Sequence, residues 1–234
     1  LVIVFLFLMS IGPQTKWIKN KFENISQWGK IFLLSLFINL SISHFFSSYS
    51  ILSNFIIISS IFLIISSFID LYKYFKKEIL DSSRIISHLA FGFLVLFIGL
   101  NYNFSLEKDF NLKLGDKEKF NNYSVEFRDL KLREFQNYKA IIGEFKINNS
   151  DRNSNQILYP EIRIYNNPNT LTYEASIKSS FLKDYYITMS NIDRSDYYNI
   201  KFQKKPFMMW IWISVIFISI GGLMRLFKNA NKNN

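Results

Sequence analysis

The sequence predicts a helical membrane protein, with about five transmembrane spans and an antiparallel β domain inserted before the last of them. Three observations carry this. Residues 31–69, lying between Lys30 and Asp70, are 39 in number and include no Asp, Glu, Lys or Arg. Two further uncharged runs, Ile85–Leu106 and Pro206–Met224, are each long enough for one span. The stretch between those two runs is richly charged and alternates apolar with polar residues.

Taken in order, Leu1–Ile11 is apolar apart from Ser10, yet eleven residues cross only about half of a hydrocarbon core. It has neither a starting Met nor a basic n-region, so it reads as the end of a helix from a longer chain rather than as a signal peptide. The 39-residue run, as one helix, would be about 58 Å long at about 1.5 Å per residue. A bilayer core is about 30 Å thick, so the run is two spans and a turn. The polar cluster Ser47-Ser48-Tyr49-Ser50 with Ser53-Asn54 places the turn, with helices near 31–48 and 51–69. The domains are then 1–101 for the first spans, 102–206 for the β domain, and 207–234 for the final span and tail.

Orientation follows from the basic residues of the short connections. Lys16, Lys19, Lys21 and Lys30 precede the second span, Lys73, Lys76, Lys77 and Arg84 follow the third, and Arg225, Lys228 and Lys232 follow the last. The turn near 47–54 has none. Alternating spans put all three basic segments on one side, the cytoplasmic one by the positive-inside rule, and residues 102–206 on the other. Trp210 and Trp212 then mark the outer interface, and Trp17 and Trp28 the inner one.

The outer segment has 17 basic and 14 acidic residues, so most of the net charge of +10 is topological and gives no case for nucleic-acid binding. Strand patterns run through Tyr123–Phe127, Ala140–Ile147, Leu158–Tyr165, part of Ile177–Met189, and Asn199–Phe202. Leu114-Gly115-Asp116, Asn148–Asn155 and Asn166-Asn167-Pro168-Asn169 supply the turns. A small antiparallel β domain is expected, barrel or sandwich left open.

The absence of cysteine excludes disulfides, thiolate metal sites and covalent haem attachment to this chain. No phosphate loop, metal-binding His-Glu helix or nucleophile elbow occurs. Glu161, Glu174 and Asp184 form no recognisable acid–base pair, and read as surface or salt-bridged carboxylates. The tyrosines of the outer domain include Tyr159, Tyr165, Tyr173, Tyr185, Tyr186, Tyr197 and Tyr198, divided between core and a docking face. Only two histidines exist, both in spans, where an ionisable side chain is costly and marks a functional candidate. His44 falls near the outer end of its helix and His88 near the inner end of another, so the two lie well over ~10 Å apart in depth and share no iron. Around His44 the serines Ser41, Ser43, Ser47 and Ser48 suit an interfacial polar residue. At helical spacing Arg84, His88, Gly92, Val95 and Gly99 lie on one face. Two readings fit that face: haem ligation by His88 with Arg84 toward a propionate, or a helix-packing seam. Gly221-Gly222 reads as a packing notch.

Several ordered features resemble one family. Ile11-Gly12-Pro13, Ser87-His88-Leu89, Glu126-Phe127-Arg128-Asp129, Tyr173–Ile177 followed by Asp184-Tyr185-Tyr186, and Lys205-Pro206-Phe207 leading to Trp210-Ile211-Trp212 and Gly221-Gly222-Leu223 are similar to the C-terminal part of the CcmF family. That family is the large membrane subunit of the system I cytochrome c maturation haem lyase. The resemblance implies a bacterial inner-membrane complex that takes haem from a periplasmic haem chaperone and joins it to the thiols of apocytochrome c, together with thiol-handling partners and other membrane subunits. It implies a b-type haem held in the bilayer, with His88 as one axial ligand and the second on an earlier helix outside this chain. It implies that these 234 residues by themselves do not perform the ligation. Ala90 departs from the glycine expected two residues after the ligand. The alternatives are a non-catalytic membrane scaffold with an extracytoplasmic protein-binding domain, or a component of the other bacterial maturation system.

Overall fold

A computed structural model describes residues 2–12, 25–44, 51–77, 81–150, 154–192 and 195–230, with side chains to residue 227. The chain divides into two compact units, residues 1–104 with 207–234, and residues 105–206.

Among its described residues the first unit has five helices: α1 (Val2–Ile11), α2 (Ile25–His44), α3 (Ile51–Phe75), α4 (Ser82–Phe104) and α5 (Met208–Ala230). Four of them are long and apolar enough to cross a membrane, and α1 is the short one. α3 is the centre. It packs against α1, α2 and α4, and α4 in turn packs against α5. Buried on α3 are Ile57, Ile58, Ile61, Phe62, Leu63 and Ile64, and with them Ser59, Ser60, Ser66 and Ser67. Ser59 and Ser60 donate to the carbonyls of Ile56 and Ile57, at 3.0 and 2.8 Å. A small side chain whose hydroxyl is satisfied on its own helix lets a neighbouring backbone approach closely in an apolar medium. Outward, α2 presents Leu33, Phe37 and Leu40, and α5 presents Ile216, Phe217 and Leu226, all exposed as suits lipid-facing positions.

The helices overrun their uncharged stretches. α2 occupies 25–44 where 31–48 was expected, and α3 continues past Asp70 to Phe75. Charge-free runs mark hydrocarbon, whereas helices carry on through the interface, where Lys and Tyr side chains reach water. The expected turn at Ser47–Ser50 and the interfacial Trp17 lie outside the described residues.

The described residues of the second unit form two antiparallel sheets. One has the order β1 (Leu106–Leu112), β10 (Tyr198–Pro206), β9 (Lys183–Asn191), β8 (Ser176–Ser179). The other has the order β2 (Lys117–Phe120), β3 (Tyr123–Glu134), β4 (Tyr138–Asn149), β6 (Glu161–Asn166), β7 (Asn169–Glu174), with β5 (Ser154–Leu158) also pairing β4. Their inner faces share one core of Val125, Phe127, Phe145, Ile147, Ile187, Met189, Ile200 and Phe202 among others. Phe127 and Phe145 stack at 4.5 Å between ring centroids. Gly143 is needed here, because a Cβ at that position would lie 2.6 Å from the Phe145 ring and 2.9 Å from Met189 Sδ of the facing sheet.

Two expected strands are in fact pairs. Leu158–Tyr165 is broken at Tyr159-Pro160, since proline gives no ladder donor, and Ile177–Met189 is broken by a tight turn at Ser180–Leu182. The alternation that ran through Phe127 stops there because the β3–β4 register shifts between Phe127 and Asp129, a bulge that re-aims the following side chains.

Candidate functional site

Helix α4 starts on Asp81, whose Oδ1 accepts from the backbone N–H of Arg84 at 3.5 Å and from Ser83 Oγ at 3.2 Å, an acidic N-cap. One turn on, Arg84 and His88 head the face that continues through Gly92, Val95 and Gly99. α3 packs on that face. A Cβ at Gly92 would come within 2.8 Å of Ile64 Cγ1, and one at Gly99 within 3.2 Å of Ile57 Cγ1. Val95 packs with Leu6 of α1 and Leu63 of α3. The glycines therefore admit a neighbouring helix, and the space beside them is filled by isoleucine.

The charged end of this face is paired. Arg84 Nη2 lies 3.6 Å from Asp70 Oδ2 of α3. Asp70 is buried, and its Oδ1, like Arg84 Nε, has no hydrogen-bond partner among the described residues. A second pair ties α5 to the cap of α4, with Arg225 Nη1 donating to Asp81 Oδ2 at 3.2 Å. Between the two ties, Gly221 of α5 abuts α4. A Cβ there would clash with Ser87 Oγ and meet Ser83 O and Ser87 N at 3.1 Å. Gly222 faces open space. Arg84 is thus anchored to α3 rather than extended beside His88.

His88 is half-buried on α4, and its imidazole makes no hydrogen bond among the described residues. A neutral imidazole with an unoccupied ring nitrogen suits an axial metal ligand. α3 leaves no room for a macrocycle over Gly92 and Gly99. His44 ends α2 and is exposed. The hydrogen bonds Asn39–Asn54 (3.1 Å) and Asn103–Ser53 (2.6 Å) tie the C-terminal end of α2, the N-terminal end of α3 and the C-terminal end of α4 together. His44 is therefore at the end of the bundle away from Arg84 and His88, and the two histidines are not brought together. A groove of about 290 Å³ lies between α4 and α5, lined by Leu89, Phe93, Phe97, Trp210, Ile213 and Phe217 among others, on the side of α4 turned from His88.

In the β domain the carboxylates serve structure. Arg163 Nε donates to Glu161 at 2.8 Å, which pushes the guanidinium pKa further up. Thr172 donates to Glu174 at 3.1 Å. Asp184, buried, accepts from the Ser180 N–H and the Tyr186 hydroxyl, both at 3.4 Å. Burial, with that carboxylate beside it, raises the Tyr186 pKa. Tyr185 joins the core, while Tyr159, Tyr173 and Tyr197 are exposed. Among the described residues no three His, Asp or Glu side chains gather as a metal site.

Asp70 was the residue that spacing alone left unremarked. The signal was present: it is the first charge after 39 neutral residues, and the next helix opens with an arginine.

Comparison with known proteins gives one consistent result. Residues 103–206 match the family described as the CcmF C-terminal β-sandwich. The chain is 23% identical over 233 residues to the cytochrome c-type biogenesis protein CcmF of Escherichia coli K12, covering 97% of this chain and 36% of that protein. The corresponding Haemophilus influenzae protein is 24% identical over 246 residues, with 98% and 37% covered. The chain thus spans little more than a third of the length of these relatives. Among solved structures, one described as cytochrome c haem lyase CcmF superposes with a TM-score of 0.72 at 14% identity, over 95% of this chain and 38% of that one. The fold is therefore that of the corresponding region of CcmF, and the chain resembles the C-terminal part of CcmF over nearly its whole length.

Proposed function

From that likeness to the C-terminal part of CcmF, we propose that this chain is the corresponding portion of a haem lyase subunit in cytochrome c biogenesis, with His88 an axial ligand of a b-type haem held within the bilayer. The observation that carries the reading is the match over 97% of the chain, together with a half-buried imidazole on a helix long and apolar enough to cross a membrane. A haem bound there supplies an iron centre that gains and gives up one electron.

His88 offers a ring nitrogen from the edge of α4. Its helix is fixed against α3 at Gly92 and Gly99 and against α5 at Gly221, so the imidazole is carried on a rigid support. Arg84 is the cation one turn away, with Nη2 held by Asp70 and the rest of its guanidinium left to meet a propionate. The second axial ligand belongs to a segment other than this chain. The absence of cysteine is consistent with a subunit that handles other proteins' thiols and contributes none.

The basic residues at the α3–α4 connection and after α5 support a reading in which those ends face the cytoplasm and the β domain faces the periplasm of a bacterial inner membrane. There the β domain is a docking surface for the haem chaperone, apocytochrome c and its thiol-handling partners, beside other membrane subunits of the complex. Near the β3–β4 turn Phe135 stacks on Tyr138, Tyr138 meets Tyr165 at a tilt, and Arg163 lies over the Tyr138 ring, an aromatic group suited to such a surface.

Two experiments test this reading. A reporter fused after Lys232 is expected to behave as cytoplasmic and one inserted at Asn153 as exported, and the reverse result overturns the partner assignment. In cells, His88→Ala in the natural polypeptide is expected to abolish covalent haem staining of c-type cytochromes, with the protein present at normal level. Undiminished staining would leave a scaffold as the better reading.

A further inference from the structure

Strand β3 is longer than the strand on its outer side. β2 pairs with it only over Tyr123–Glu126, whereas β4 pairs with it from Tyr123 to Glu134. Past the bulge between Phe127 and Asp129, the outer edge of β3 has no strand beside it among the described residues. The backbone groups which that edge offers follow from the register. In an antiparallel ladder, alternate residues turn their N–H and C=O to one neighbour and then to the other. Before the bulge Phe127 turns to the outer side, donating to Asp116 O and accepting from the Gly115 N–H, both at 2.9 Å. The bulge advances the count by one residue. At the far end Phe135 turns to β4, its N–H donating to Tyr138 O at 2.9 Å. Asp129, Lys131 and Arg133 therefore turn their backbone to β4, and Leu130, Leu132 and Glu134 turn theirs outward. The Leu130 N–H donates to its neighbour Asp129 Oδ1 at 2.9 Å. Leu132 and Glu134 each keep an outward donor and an outward acceptor.

The two faces of this edge differ. Leu132 is 67% exposed, on the face whose Leu130 and Ile141 pack against the core. On the opposite face Lys131 and Arg133 line a recess of about 350 Å³ with Ile142, Glu144, Tyr159 and Glu161. Lys131 is paired with Asp129 at 3.0 Å, and Glu161 with Arg163 at 2.8 Å. Glu134 is paired with Lys139 at 2.8 Å. Arg133 has no ion-pair partner among the described residues.

We propose that the free edge of β3 at residues 130–134 takes an extended segment of another protein as an added antiparallel strand, with an apolar side chain beside Leu132 and an acidic one beside Arg133. Backbone pairing supplies affinity in such an addition, and the pockets for alternate side chains supply selectivity. Edges that stay closed are short, bulged away or lined with charge, as β2 is by its exposed Lys117, Glu118 and Lys119. On β3 the outward backbone groups lie beside an exposed leucine, and the unpaired guanidinium is complementary to a carboxylate. A second copy of the chain is a poorer occupant. With the two Leu132 residues opposite each other, each Arg133 would face a Lys131, and like charges directly opposite destabilise a sheet. The inference rests on strand register within the β domain, and neither on haem nor on the side of the membrane the domain occupies.

The test uses the whole protein in detergent and a fluorescein-labelled, end-capped peptide, Thr-Val-Asp-Val-Thr-Val-Thr, which sets its aspartate against Arg133 when the following valine is opposite Leu132. Fluorescence anisotropy is expected to show saturable binding, weakened at least tenfold by N-methylation of that valine. Leu132→Pro removes an outward donor that the fold does not use, a change edge strands tolerate, and is expected to weaken binding at least tenfold. Arg133→Glu leaves the backbone edge intact and is expected to reverse the preference, toward the peptide with lysine in place of aspartate. Absence of saturable binding, binding indifferent to N-methylation, or an undiminished preference for aspartate in Arg133→Glu overturns the proposal. So does a dimer of the protein in light scattering that Leu132→Pro dissolves, which would give the edge to a second copy.

Discussion

Arg84 of α4 lies 3.6 Å from Asp70 of α3, and the carboxylate is buried. The two helices are thereby joined by charge at one end of the bundle, and by the Asn103–Ser53 hydrogen bond at the other. Removing one partner leaves the other in a poor solvent. Asp70→Ala is expected to destabilise the protein by more than the ~0–1 kcal/mol of an exposed pair and less than the ~3–5 kcal/mol of a fully buried one, because Arg84 is partly exposed. The double variant Asp70→Ala with Arg84→Met is expected to be more stable than Asp70→Ala alone. Thermal unfolding in detergent checks both.

Adjacent glycines of α5 should respond oppositely. Gly221→Ala puts a methyl against Ser87 and the backbone of α4, an overpacking that costs about 1–3 kcal/mol. Gly222→Ala meets nothing within 4 Å, and alanine's better helix propensity makes it neutral or stabilising by up to ~1 kcal/mol. Melting temperatures of the two variants, compared side by side, decide it.

In the β domain, Gly143→Ala is expected to lower stability by about 1–3 kcal/mol, since its Cβ would meet the Phe145 ring and Met189 Sδ. Shortening the second obstacle with Met189→Ala should make the added methyl less costly than in the wild-type background. Chemical denaturation of the four proteins in the cycle measures that coupling.

How far the sequence led is clear from these same residues. The spans were legible because charge is so expensive in hydrocarbon that its absence over 31–69 leaves one interpretation. The Gly221 notch was legible because small residues in spans have few other uses. The face of α4 was identified correctly at helical spacing, but what fills it was not: spacing locates Gly92 and Gly99 without saying that Ile64 and Ile57 occupy the room they leave. Asp70 needed knowledge of which helix lies against α4. In the β domain, alternation read β3 only as far as the bulge after Phe127, and β1 was absorbed into the preceding span because Leu106 continues an apolar run.

Acid pH supplies a fourth prediction. Glu107 has its pKa held below the ordinary carboxylate value by a hydrogen bond from Lys201. A depressed folded-state pKa contributes stability that is present above the unfolded value and lost as pH falls through the folded one. Lys201→Met is expected to raise the Glu107 pKa toward its ordinary range, the Gln203 hydrogen bond still holding it down in part, as read by carboxyl NMR titration. A Glu107 titration unchanged by the substitution would contradict the pairing.

The most direct measurement on the central claim is the reduced-minus-oxidised absorbance spectrum of the natural polypeptide, purified in detergent with and without His88→Ala. The account predicts a b-type haem signal in the wild type that is lost or markedly shifted in the variant, with the protein still folded. A variant that keeps the signal unchanged, or a wild type without one, would contradict it.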